Sequence, residues 1–532
     1  MTRLPRLLPA LLLLCALPAG AQLHYTVDLR NPASHSAIVT LRVDSLPAAD
    51  SIFQFAATAP GTYQTMNIGR FVRGLRATDA RGREVPARQV STNAWLIVTP
   101  SRVRQLTYQV LDTWNTPVTE FPIYPMAGTA IETDHALLNA HAMFGFPPSM
   151  QGARVTVRFQ HPAGWTVETP LTEGPDGYQA DSYDHAVDSP FLLGSDLTTA
   201  ELTVSGVPVR IAVHAPGRST TAEQLREAMR GTLVAAGRFI GRLPVDRYLF
   251  LFRFAPEREG QAMGAWEHSY SSEYVLPDRP YTDEVGRGVS DIAAHEFFHI
   301  VTPLNIHSEI VERFDFDTPV PSRHVWLYEG VTEWASEKMQ LDGGLLSLEE
   351  YLDNVVGKMR RDRSLYDSTY SLTRLALTSY TAEGARQYGN IYMRGAVVAG
   401  LLDIRLLQLS DGRHGLRDLM RELAREYGPR RPFPEDSLYA IIAARTSPEV
   451  LDFFARYIDG SEHPPLREYY ALIGMDVVED ENGTAVRIAP NPAATPEQLR
   501  LREAWLRADP ADAAAAAVRV LVPARARVAV TR

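Results

Sequence analysis

Residues 290–305 read SDIAAHEFFHIVTPLN, which places His295 and His299 four positions apart with Glu296 directly after the first. On a helix, side chains at i and i+4 share a face. Two neutral imidazoles on one face can hold one Zn2+, and a carboxylate beside them is placed to take a proton from water. Ser290 is the expected cap of this helix and Pro303 its expected end. A catalytic zinc also needs a third protein ligand and an open position. The candidate is Glu329 in VWLYEGVTEW, 30 positions beyond His299. Its neighbours Trp326, Leu327, Tyr328 and Trp334 imply a largely buried helix, in which a carboxylate requires a partner such as a metal. Tyr392 lies in the first turn of a later apolar helix, where a phenol can donate to an oxyanion. Taken alone, the short histidine motif also fits an ordinary core helix with a solvated glutamate.

A fourth stretch, GAWEHSYSSEYVL (264–276), reads as a strand entered through Gly264 and Ala265. An edge strand can pair with an extended peptide, and Glu267 would then meet the peptide's terminal ammonium. Glu333 and Glu337 follow Glu329 on its helix, and either can orient a ligating histidine.

The elements that must position these residues follow from the pattern around them. HYTVDL, AIVTLRV, AWLIVTP, RQLTYQV and RVTVRFQ alternate or are rich in β-branched residues, so the chain up to about residue 208 reads as antiparallel β structure. Helical periodicity begins near residue 216, with Thr221 and Gln224 as a capping box. RYLFLFRF (247–254) is a buried strand, and helices dominate from there to about residue 463.

The chain has 532 residues, enough for about two to four domains. Its net charge of −10 comes without a long basic run, which argues against nucleic acid as a partner. Arg3 and Arg6 precede the short apolar LLPALLLLCAL and the small-residue AGA, the pattern of a secretory signal peptide over residues 1–21. The expected location is therefore outside the cytoplasm, periplasmic or extracellular, with no membrane span after cleavage. The single cysteine, Cys15, lies in that leader. The mature chain then has no disulfide, and its metal ligands must be His and carboxylate.

In this order, GAWEHSYSS, HEFFHIV, VWLYEGVTEW and IYMRGAVVAGLLDI resemble the GGLEH, HEFFH, LWFSEG and YYTKG segments of the glycyl aminopeptidase family of zinc peptidases. That family is related to alanyl aminopeptidase and leukotriene A4 hydrolase. TAPGTYQTMNIGRFVRGL and TDHALLNAHAMFGF resemble its N-terminal half, so the likeness runs from about residue 24 to about 473. It implies one zinc per chain held by His295, His299 and Glu329, with Glu296 as general base, Tyr392 as oxyanion donor and Glu267 as anchor of the substrate's amino group. It implies an α+β multidomain fold: an N-terminal β-domain (22–208), a thermolysin-like catalytic domain (209–345) and a helical domain completing the site (346–473). The short mixed region 474–532 lacks a Gly-Leu-Gly-Phe-like loop, so no complete PDZ domain is expected. The basic WNVKRIRP-like segment of the family is replaced by IVTPLNIHSE. Trp266 stands where leucine is common. A large ring there would narrow the first side-chain pocket, hence the expectation of an aminopeptidase for peptides with a free N-terminal Gly or Ala. The alternatives are an endopeptidase on the same scaffold and a non-catalytic peptide-binding protein.

Overall fold

Alternation fixes the face of the first strand. In Gln22–Asp28, Leu23, Tyr25 and Val27 are buried and the residues between them are half-buried, as one face of a sheet meeting a core requires. The computed structural model describes residues 22–258, 263–481 and 484–507. The expected leader (1–21) and the strand-like VRVLV (518–522) lie outside them.

Gln22–Asp28 lies within an eight-stranded sheet, between Ser36–Arg42 and Arg154–Gln160. The pairing with Arg154–Gln160 is parallel, which departs from the purely antiparallel expectation. The long excursion between the two strands gives the chain room for the crossover that a parallel pair needs. Two smaller sheets, of three and four strands, complete this β-rich part.

A second, five-stranded sheet runs in the order Thr198–Val204, Val207–His214, Tyr248–Ala255, Ser271–Pro277, Gly264–His268. Its central strand Tyr248–Ala255 is buried at every position and parallel to both neighbours. Tyr248, Phe250, Phe252 and Phe254 face the helices, while Leu249, Leu251 and Ala255 face Trp114, Leu137 and Leu192 of the β-rich part. Both faces are covered, which is why the strand reads as a continuous apolar run. Gly264–His268 forms the edge, antiparallel to Ser271–Pro277.

Helix Ala222–Ile240 starts with the Thr221–Gln224 capping box. The helix carrying His295 starts earlier than the sequence suggested. It spans Asp283–Phe298, and Thr282 Oγ1 caps it by accepting from the Val285 amide at 3.2 Å. Ser290 is not the cap. It lies mid-helix, its hydroxyl 2.7 Å from that of Thr232. Gly286 and Gly288 disguise the true start, because glycine reads as a poor helix former. Gly286 has a packing reason: a Cβ there would come within 2.6 Å of Tyr281 Oη and 3.1 Å of Ala228. The helix ends at Phe298 with His299 as its C-cap, ahead of Pro303.

Two later helices, Val331–Asp342 and Ala396–Leu409, are each entered through one π-helical turn, Trp326–Gly330 and Ile391–Gly395. These turns meet backbone to backbone: a Cβ on Gly330 would lie 2.9 Å from Gly395 Cα. After Gly474 a hairpin (Met475–Glu479, Ala485–Pro490) and helix Pro496–Trp505 join the same core through Ile488, Leu501 and Trp505. No helix among the described residues is long and apolar enough to cross a membrane.

Candidate active site

The two histidines and Glu329 converge. Glu329 Oε2 stands 3.4 Å from His295 Nε2 and 3.7 Å from His299 Nε2, and all three residues are buried. Each imidazole spends its other nitrogen on a fixed acceptor. His295 Nδ1 donates to Glu333 Oε2 at 2.8 Å, and His299 Nδ1 donates to the Thr302 carbonyl at 3.0 Å. Both Nε2 lone pairs are therefore presented to the Glu329 side. Two imidazoles and one carboxylate, with ligand atoms mutually within 4.8 Å, form a donor set that suits zinc.

Of the two carboxylates that follow Glu329 on its helix, Glu333 touches His295, while Glu337 faces Lys358 at 3.3 Å. The buried Lys358 ammonium also bonds Glu333. Burial raises the Glu333 pKa, but His295 and Lys358 outweigh it and hold the carboxyl down at about 2. Glu337, with less compensation for its burial, is pushed up to about 7.

Glu296 is buried, and its Oε2 has no hydrogen-bond partner. Burial, reinforced by the Glu329 charge, lifts its carboxyl well above the usual range. Tyr392 stands with its ring 5.6 Å from that of His295 and lines the same cavity as Glu329. Burial and the carboxylates Glu329, Glu296 and Glu267 keep that phenol protonated.

Glu267 joins this group from the edge strand. Its carboxylate, one from Glu296 and a His299 nitrogen lie mutually within 4.8 Å. It is buried, and its pKa is raised by burial first and then by Glu329 and Glu296. Strand alternation turns Ala265 to the same face, while Trp266 and His268 turn away. The Trp266 ring packs 5.3 Å from His141 and 4.4 Å from His268, within the core of the β-rich part. Gly264 borders Met126.

A cavity of about 410 Å³ is lined by His295, Glu296, His299, Glu329, Tyr392, Glu267, Ala265 and Trp266 and, among the described residues, by no Lys or Arg. Tyr63, Tyr380 and Tyr388 also line it. Tyr63 belongs to TAPGTY but is not singled out by the sequence, because nothing local says that this loop reaches His295, His299 and Glu329. A second cavity, of about 760 Å³, shares Gly61, Tyr63, Trp266, Glu267 and Tyr380 with the first. Its further walls come from Leu304, Val311, Phe314 and Phe316, in and after the segment that replaces the family's basic stretch.

Two other groups of possible ligands lie apart from this site. In Asp134–His135–His214, Arg253 Nε donates to His135 Nε2 at 2.9 Å, so that lone pair is already used. In His35–Asp112–Glu132, Asn115 Nδ2 donates to Asp112 Oδ2 at 2.8 Å and to Glu132 Oε1 at 2.9 Å, and His35 Nδ1 donates to the Ile131 carbonyl at 2.8 Å.

Residues 24–195 match the family description "Peptidase M61 N-terminal domain", and residues 289–398 match "M61 glycyl aminopeptidase". Together the matches span more than half of the chain. The chain belongs to the M61 peptidase family. This M61 chain is accordingly an enzyme, a peptidase, and the second match contains His295, Glu296, His299, Glu329 and Tyr392. Tyr63 falls in the first match, and Glu267 lies between the two.

Among solved structures, an aminopeptidase N family protein from Idiomarina loihiensis is 18% identical, with a TM-score of 0.75 over 87% of this chain and 81% of that one. An M1 zinc metallopeptidase mutant from Deinococcus radiodurans, bound to a Tyr-Ser-Ala substrate, is 15% identical, with a TM-score of 0.53 over 84% and 94%. Native yeast LTA4 hydrolase is 11% identical, with a TM-score of 0.51 over 84% and 68%. At these identities the likeness is one of fold, α+β and multidomain as expected. No curated protein sequence matches.

Proposed function

We propose that this M61 peptidase is an exported zinc aminopeptidase, with His295, His299 and Glu329 as the metal's protein ligands. The observation that carries the exopeptidase reading is Glu267: a buried carboxylate beside the metal ligands, with no ion pair among the described residues, in a cavity without Lys or Arg. Such a group favours a cation, and a peptide's terminal ammonium is the cation that would give cleavage after the first residue. Pairing of an extended peptide with the free edge of Gly264–His268 would fix its direction. The basic leader with its apolar core supports export. We take the domains as 22–208, 209–345 and 346–473, with the region from 474 packed onto the helical part.

When bound, zinc polarises the scissile carbonyl and acidifies a water. Glu296 Oε2, raised in pKa and free of partners, takes the water's proton and passes it to the leaving amine. The Tyr392 phenol, kept protonated, donates to the oxyanion as the carbonyl becomes tetrahedral. The Nδ1–H bonds to Glu333 and Thr302 hold both imidazoles in the tautomer whose Nε2 is a ligand.

The endopeptidase alternative has its own supporting observation. The cavity of about 760 Å³ continues on the far side of Glu267 and could take residues N-terminal to the cut. Paired free and N-acetylated peptides decide between the two. The aminopeptidase cuts only the free form, and equal cutting of both would sink this reading in favour of the endopeptidase. Glu296→Gln should abolish hydrolysis while the chain still binds one zinc. Tyr392→Phe should lower turnover by ~10²–10³.

A further inference from the structure

The loop that brings Tyr63 into the cavity is held in an unusual way. Tyr63 has φ 48°, a left-handed conformation that is strained for a non-glycine residue and persists only where its surroundings impose it. Those surroundings are visible. Thr62 Oγ1 donates to the Ala59 carbonyl at 2.7 Å, the Met66 amide donates to the Ala57 carbonyl at 2.6 Å, and the Ala57 amide donates to the Phe316 carbonyl at 2.7 Å. Gly61, at φ 75°, lies so close to the edge strand that a Cβ would meet Glu267 Oε1 at 2.6 Å and Trp266 Nε1 at 2.9 Å. The turn is thus pressed directly onto the carboxylate assigned to the substrate's amino group.

The Tyr63 ring extends from this turn along a row of aromatic rings that ends at the metal ligands. It lies 4.9 Å from Tyr388, which lies 6.0 Å from Tyr392, which lies 5.6 Å from His295. Tyr63 therefore stands between Glu267, through Gly61, and the Tyr392 end of the cavity. Burial keeps its phenol neutral, and the nearby charges that reinforce this are Glu329 and Glu267. The first residue of an anchored substrate must occupy this same space.

We propose that Tyr63 Oη is a second partner of the substrate's terminal ammonium, accepting a hydrogen bond from it beside Glu267. This rests on the aminopeptidase reading above. An ammonium carries three N–H donors, more than one carboxylate oxygen satisfies, and a neutral phenol offers an acceptor without adding charge to a site that already holds three glutamates. The amine anchor is then shared between the β-rich part and the edge strand, so the catalytic half alone does not define the exopeptidase.

The test is Tyr63→Phe, which keeps the ring row and removes only the hydroxyl, measured beside Glu267→Gln and wild type. Three ligands are used: a free-amine dipeptide, the same dipeptide with hydrogen replacing the amine, and alanine amide as a titrated inhibitor. A hydrogen bond to a charged group predicts that Tyr63→Phe lowers kcat/KM for the free amine about tenfold to a hundredfold. The loss should be mainly in KM, with alanine amide binding weakened by the same factor in calorimetry. The desamino peptide, titrated as a competitive inhibitor, should bind as it does to wild type, and thermal unfolding should not move. An unchanged kcat/KM for the free amine would overturn the proposal. So would an equal loss on the free and desamino peptides, which would make Tyr63 a packing residue. Failure of the aminopeptidase reading looks different: wild type would cut acetylated and free peptides alike, and Glu267→Gln would change neither.

Discussion

Glu333→Gln probes how the metal site is built. In the wild type, Glu333 carries two bonds, one to His295 Nδ1 at 2.8 Å and one to the Lys358 ammonium. A glutamine can keep only one. If its carbonyl oxygen accepts from His295, its NH2 faces a donor ammonium. If its carbonyl faces Lys358, its NH2 faces His295 Nδ1 and drives the ring proton to Nε2, where the ligand lone pair should be. Each hydrogen bond to a charged group contributes about 1.5–3 kcal/mol, and loss of a carboxylate behind a ligating histidine weakens metal binding about 10–100-fold. Glu337, now at about 7, would become the sole carboxylate partner of Lys358 and ionise, which restores part of the stability but none of the contact to His295. The expected outcome in a competition titration with a chromophoric chelator is a zinc Kd raised about 10–100-fold in Glu333→Gln and changed less than about threefold in Glu337→Gln. Equal weakening in the two variants, or a wild-type Kd in Glu333→Gln, would refute the reasoning.

Asp362 is held down to about 2: burial raises its carboxyl, but the His463 ring 3.6 Å away and hydrogen bonds from Arg394 and Asn390 outweigh it. A depressed folded-state pKa gives stability that is fully present above the unfolded value near 4 and is lost as pH falls toward 2. A tenfold difference in proton affinity between folded and unfolded chain is worth ~1.4 kcal/mol, so this carboxylate contributes about 2 kcal/mol. Melting curves of wild type and Asp362→Asn should therefore differ most at neutral pH and converge toward pH 2, whereas a gap independent of pH would exclude this origin. Gly395→Ala places a methyl 3.1 Å from Gly330 Cα. It should cost ~1–3 kcal/mol as overpacking, read by thermal melts, and should reduce turnover by more than the lost folded fraction. Chelation should abolish hydrolysis and lower the melting temperature, with both recovering on adding zinc.

The chemistry was more legible in the sequence than its support. The convergence of the proposed site residues was announced by local spacing for His295, Glu296 and His299, and for Glu329 by a carboxylate set among aromatics, because burial of a charge is a strong constraint that composition exposes. The Tyr248–Ala255 strand was readable for the same kind of reason, since both of its faces are covered. What stayed hidden depends on distant partners. Glu333 and Glu337 occupy neighbouring turns of one helix and differ only in how Lys358 and His295 meet them. The start of the helix carrying His295 was obscured by Gly286, whose role is close contact with Tyr281 and Ala228 rather than turn formation. Trp266 lines both cavities and also packs its ring into the β-rich core, a second contact that the local sequence does not announce. Tyr63 is brought in by a loop far upstream of the histidines.

The contact between Gly330 and Gly395 has a consequence for how this enzyme can change. Each glycine directly follows or closely follows a residue of the proposed reaction centre, Glu329 and Tyr392, on a single π-helical turn. With no side chain between the two backbones, the spacing of carboxylate and phenol has no adjustable spacer. Ordinary drift elsewhere in the helices can alter packing, yet the two groups remain coupled like jaws on one pivot. Variation in activity among descendants of this chain is therefore channelled to the other walls of the cavity and away from the distance between Glu329 and Tyr392.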